Sequence, residues 1–188
     1  MQKKPSEAAE MLEPAQRLAL AYAPSAARDA WAALFMLEKR LAETARPGRE
    51  PLMIQLRLSW WRDQLGEPSA KWPVSEPVLG NLKAWNDHHG ALTCLVDGWE
   101  AYAIGEEDAS EHGSDGTSEL DAARVEAFVA LARLLNVDDL EPVRLAARQL
   151  IDPSRASDQP AKLPRSIDRK STRLNSSHIQ KSRMPSSA

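Results

Sequence analysis

The chain has a single cysteine, Cys94, in 188 residues. An internal disulfide is therefore excluded, and with it the stapled scaffolds of small secreted proteins. Cys94 lies in the apolar run Leu92–Val96 and reads as a small buried residue rather than a nucleophile. Phenylalanine and tyrosine are scarce, two of each, against six tryptophans. A few large anchors must then fill much of the core. No run approaches the roughly 20 apolar residues that span a bilayer. The N-terminus has Lys3 and Lys4 but no apolar stretch behind them, so it does not read as a secretory leader. A cytoplasmic protein is expected, with peripheral contact at a membrane left open. Glycine-rich phosphate loops, a nucleophile elbow and cysteine pairs are all missing. His88 and His89 are adjacent without a third ligand at zinc spacing, and a solvent-exposed turn is expected there.

What is present is helical periodicity. Hydrophobic residues make up 43% and charged residues 27%, a globular balance at the size of one ordinary domain. A first helix is predicted near Pro14–Tyr22. The next has Pro24 in its first turn and carries Ala27, Trp31, Leu34, Leu37, Leu41 and Ala45 as one stripe, with Arg28, Glu38, Lys39 and Glu43 off it. Pro47-Gly48 stops it. Glu50–Leu65 is apolar nearly all round, which predicts a central helix packed on several sides. Trp60 and Trp61 within it read as core. Gly66–Val74 reads as loop, and Ser75 as the cap of a helix presenting Val78, Leu79, Leu82 and Trp85. Asn86–Gly90 turns the chain before a helix over Ala91–Gly105. Glu106–Thr117 is acidic and rich in Gly and Ser, a solvated loop. Ser118 is positioned to cap Glu119–Asn136, and Asp138 or Asp139 to cap a last helix ending near Ile151. Strand alternation is nowhere sustained, so the expected fold class is all-α. The expected organisation is a flexible N-terminus over 1–13, a helical domain over 14–152 and a polar linker over 153–167.

From Asp168 the chain lacks hydrophobic periodicity and is rich in Ser, Lys and Arg. That composition predicts a disordered tail over 168–188. Asp168–His178 and Lys181–Ala188 also resemble a translated sequencing adapter, which sets the segment outside the fold and implies a truncated domain. Without its five basic residues and one acid, the net charge moves from −3 to −7. Such a balance argues against nucleic acid as a partner.

The most specific pattern runs from Pro24 to Leu65. Pro24 and Arg28 precede the apolar positions Trp31, Leu34, Phe35 and Leu37. Lys39 follows, and then Ala42, Glu43 and Arg46. Downstream stand Leu58, Trp60, Trp61 and Arg62. Over Leu18–Ile151 the chain resembles the squalene/phytoene synthase family, and this implies the N-terminal part of an isoprenoid-synthase-like helical domain. In that family a proline and a basic residue precede an apolar helix that continues into Arg-x-x-Asp-Asp-x-x-Asp. A Leu-x-Trp-Trp-Arg segment comes later. Lys39 falls where the arginine is expected, and Ala42, Glu43 and Arg46 fall on the three aspartates.

The resemblance implies prenyl diphosphate chemistry, with Mg²⁺ neutralising the leaving group if the chain is catalytic. One Glu cannot replace three carboxylates, and Arg46 puts a cation where metal would bind. No catalytic or metal-binding residue is therefore assigned. Arg28, Lys39, Glu43, Arg57 and Arg62 are the candidate substrate-binding residues. Arg57 and Arg62 have a plainer reading as internal salt bridges with carboxylates such as Asp63 or Glu43. The short joint Pro47–Arg49 and the run Arg40, Leu41, Ala42, Glu50, Pro51, Arg57, Leu58, Trp60, Trp61, Arg62 resemble a non-catalytic branch. That branch includes the mitochondrial complex I assembly factor with such a domain and its bacterial relatives. The expected function is thus a degenerate homologue that binds a prenyl lipid, a prenyl diphosphate or a protein partner. The alternatives are a head-to-head prenyltransferase with a drifted first motif, and a helical interaction module without a ligand.

Overall fold

The computed structural model describes residues 12–108 and 116–152. The expected linker and tail lie outside them, as does most of the acidic loop. Among the described residues the regular structure is helical and there is no strand. The elements are α1 (Pro14–Tyr22), α2 (Arg28–Thr44), α3 (Pro51–Gly66), α4 (Pro77–Leu82), α5 (Thr93–Asp108), α6 (Gly116–Leu134) and α7 (Glu141–Ile151). Short 3₁₀ turns cover Ser69–Lys71, Lys83–Trp85 and His88–Leu92. The fold is all-α.

Proline sets several helix starts. Pro14, Pro51, Pro77 and Pro142 stand in first turns, where the missing N–H has no intrahelical partner to lose. Pro24 does not. Its carbonyl accepts the Ala27 N–H at 2.9 Å, and α2 begins only at Arg28. Two expected caps shift as well. Glu76, not Ser75, caps α4 by accepting from the Val78 N–H. α6 starts at Gly116, ahead of Ser118. Asp139 does contribute at α7, where its carboxylate accepts the Glu141 N–H at 3.2 Å. Gly48, at φ +85°, turns the chain within the α2–α3 joint, in the left-handed region that glycine enters without a Cβ penalty.

One core runs through the helices. Leu37 and Leu41 of α2, Leu58 and Leu65 of α3, Leu79 and Leu82 of α4, and Leu95 and Val96 of α5 are all fully enclosed. Trp61, Trp72, Trp85 and Trp99 are buried with them. Each buried indole N–H must find an acceptor. Trp85 Nε1 donates to the Ala30 carbonyl at 3.1 Å and Trp72 Nε1 to the Gln64 carbonyl at 2.6 Å. A smaller cluster of Leu12, Leu20 and Phe35 holds α1 against α2.

The most extensive interface joins α5 and α6. A Cβ at Gly98 would lie 2.6 Å from Ala123 Cβ and 3.1 Å from Leu120 Cα. The helix backbones approach this closely because position 98 carries no side chain.

Three expectations change. α3 is not packed all round. Ile54, Leu58, Trp61 and Leu65 are buried, while Leu52, Met53, Leu56 and Trp60 are 58%, 43%, 57% and 38% exposed. Trp60 therefore stands edge-on to Trp61 at the surface, with ring centroids 5.1 Å apart. His89 is buried rather than solvent-exposed, because the 3₁₀ turn tucks it edge-on to Trp72, 4.5 Å between centroids. Its Nε2 is 3.1 Å from the Glu67 carbonyl oxygen.

Candidate functional site: an apolar cavity with one ion pair

A cavity of about 280 Å³ lies where α1, α2, α5, α6 and α7 meet. Leu34, Phe35, Leu95, Phe128, Leu150 and Ile151 supply its apolar wall. Trp31, Phe35 and Phe128 form an aromatic trio beside it, with centroids 5.6–6.4 Å apart. Its charged lining residues are Glu38 and Arg124.

These two side chains are tied together. Arg124 Nε donates to Glu38 Oε1 at 2.7 Å. Trp99 Nε1 donates to Glu38 Oε2 at 3.3 Å. Arg124 also donates to Asp121 Oδ1 at 3.2 Å and stacks over the Trp99 ring, 5.3 Å from its centroid. The pair is largely enclosed, with side-chain exposures of 30% for Arg124 and 19% for Glu38. Glu38 and Arg124 cancel, so among the described residues the cavity's charged lining carries no net charge, and its guanidinium is already held by carboxylates. Such a wall offers an anion no unpaired cation and suits a neutral apolar ligand.

Glu38 reaches the cavity because the helical repeat carries it there. It follows Leu34 by four residues and Trp31 by seven, so it belongs to the apolar stripe rather than off it. A carboxylate on a buried stripe was the available signal. Arg124 gave none, since its partner lies 86 residues away.

None of the five residues that the resemblance points to lines this cavity. Arg28 is exposed at the start of α2, and Lys39 is half-buried. Glu43 is exposed and pairs with Arg40 at 3.7 Å. Arg57 lines a separate shallow groove with Arg49, Glu50, Met53 and Thr44. Arg62 makes the internal salt bridge of its plainer reading, but with α5 rather than with Asp63 or Glu43. Its guanidinium donates to Glu100 at 2.6 Å and to Asp97 at 2.6 and 2.9 Å. The hydrogen bonds it donates to Glu100, then to Asp97, raise its pKa further above the usual value.

The positions that the resemblance sets against an Asp-rich motif do not fit Mg²⁺. Ala42 packs against the core, Glu43 is engaged with Arg40, and Arg46 is an exposed cation. Among the described residues no three His, Cys, Asp or Glu side chains group as a metal site. No helix there is long and apolar enough to cross a membrane.

No protein-family model, curated protein or solved structure matches this chain.

Proposed function

We propose that this chain is a degenerate relative of the squalene/phytoene synthases that binds a neutral prenyl lipid and does not couple prenyl groups. The observation that carries the reading is the apolar cavity walled by Phe35, Phe128, Leu34 and Leu150, with the Glu38–Arg124 pair at its edge. Its volume of about 280 Å³ lies just below the range of drug-sized ligand sites, roughly 300–1,000 Å³. Its only lining cation among the described residues, Arg124, is already paired with Glu38 and Asp121, which favours a prenol or similar neutral head over a diphosphate. Arg62, held by two carboxylates of α5, is not free to grip one. Membrane-peripheral or assembly-factor behaviour is compatible with such a ligand.

The test is a titration of the full chain with farnesol, geranylgeraniol and farnesyl diphosphate, read by tryptophan fluorescence. Saturable binding of the prenols is expected, with the diphosphate at least about tenfold weaker. Ala19→Trp, which fills the cavity from α1, should abolish it. Prenol binding that is unaffected by Ala19→Trp sinks the cavity assignment. Head-to-head product from farnesyl diphosphate with Mg²⁺ would overturn the non-catalytic reading.

A further inference from the structure

The outer face of α3 is apolar, exposed and bracketed by charge. Leu52, Leu56 and Trp60 recur every four residues and share one side of the helix, opposite the buried Ile54, Leu58, Trp61 and Leu65. Arg49 precedes the stripe and Asp63 ends it. Both are exposed, and neither forms an ion pair among the described residues.

The pattern is symmetric about Leu56. Leu52 and Trp60 each lie four residues from it, and Arg49 and Asp63 each lie seven. A two-fold contact requires that one patch complement itself, so that residue i meets j and j meets i. We propose that α3 docks antiparallel on α3 of a second copy of this chain, with the two Leu56 side chains at the dyad. Leu52 then covers the partner's Trp60, and Arg49 of each copy meets the partner's Asp63. Both charges lie at the rim, where they set register and orientation more than affinity. Arg57 flanks Met53 on the side of the stripe and stays clear of the seam.

A second copy fits better than an anionic bilayer. A membrane-surface helix places cations along its polar face and keeps acids away from its apolar one. Here Asp63 lies on the apolar side itself, and the chain is net negative at −3. One helix face is a small interface, so a weak, concentration-dependent dimer is the expected form. The contact does not depend on any ligand in the cavity.

The experiment is sedimentation velocity of the full chain from low to high micromolar concentration. A reversible monomer–dimer equilibrium is expected. Leu56→Asp should weaken association at least about tenfold without altering helix content, because Leu56 is already 57% exposed. Arg49→Asp and Asp63→Arg should each weaken it, and the combined swap should restore it. Leu56→Cys should crosslink under mild oxidation in a dimer-dependent way. A monomer at all concentrations, or a charge swap that fails to restore association, overturns the proposal. So does a chain that stays monomeric while pelleting with anionic vesicles through Leu56.

Discussion

Replacing Gly98 by Ala tests the packing of α5 on α6. In an open helix the change stabilises by about 1 kcal/mol, because alanine loses less backbone entropy than glycine. At Gly98 the new methyl would stand 2.6 Å from Ala123 Cβ and 3.1 Å from Leu120 Cα. Neither atom is the free end of a flexible side chain, so relief requires the helices to part. Overpacking of this kind costs roughly 1–3 kcal/mol, and these rigid contacts place it in the upper half of that range. The net effect is a loss of about 1–2 kcal/mol, or a melting temperature lower by roughly 3–10 °C for a domain of this size. Gly80 in α4 is the internal control. Nothing lies within 4 Å of a Cβ built there, so Gly80→Ala should be neutral or stabilising by up to about 1 kcal/mol. Combining Gly98→Ala with Ala123→Gly removes the shortest contact and should show a favourable coupling of about 1 kcal/mol or more. Urea unfolding of the native chain, Gly98→Ala, Ala123→Gly, their combination and Gly80→Ala, followed by far-UV circular dichroism, gives all three quantities. Stabilisation by Gly98→Ala comparable to that at Gly80 would refute the close approach.

Two further outcomes are expected. Arg124→Met leaves Glu38 without its main partner in a mostly enclosed position. Breaking a buried pair costs roughly 3–5 kcal/mol, which partial exposure here reduces to about 1–2 kcal/mol in urea unfolding. Arg124→Lys should recover little of it, because an ammonium cannot reproduce the planar contacts to Glu38, Asp121 and Trp99. Burial pushes the Cys94 thiol up to about 11, so alkylation at pH 8 should be slow until the chain unfolds. The folded state favours the protonated thiol, so this contribution to stability is complete below the ordinary thiol range. It is lost as pH climbs towards 11, and urea midpoints in alkaline buffers should fall accordingly for the native chain but not for Cys94→Ala.

Much of the helical layout was legible because its signals are local. Pro51, Pro77 and the Pro47-Gly48 stop act within one turn. The burial of Trp61, Trp85 and Trp99 followed from large apolar residues at helical spacing. The cavity was not legible in the same way. Its ion pair joins residues far apart in the chain, and a periodicity reading confined to one helix cannot see Arg124 across from Glu38. Glu38 was visible on the stripe and is a lesson in following angle rather than polarity. The two sides of α3 are equally apolar, so periodicity alone could not tell the covered side from the open one. His89 is buried through backbone turns at Asn86 and Asp87, both with positive φ, which send the chain back under Trp72.

The contacts of this fold differ in how long the chain must wait for them. α5 and α6 are neighbours in sequence and share the largest interface, so closing that pair costs little loop entropy. The Trp85–Ala30 hydrogen bond bridges 55 residues, and the Glu38–Arg124 pair 86. During synthesis α2 leaves the ribosome long before α6 can meet it, and Glu38 spends that interval in water. The wall of the cavity is thus among the last parts of the molecule to exist.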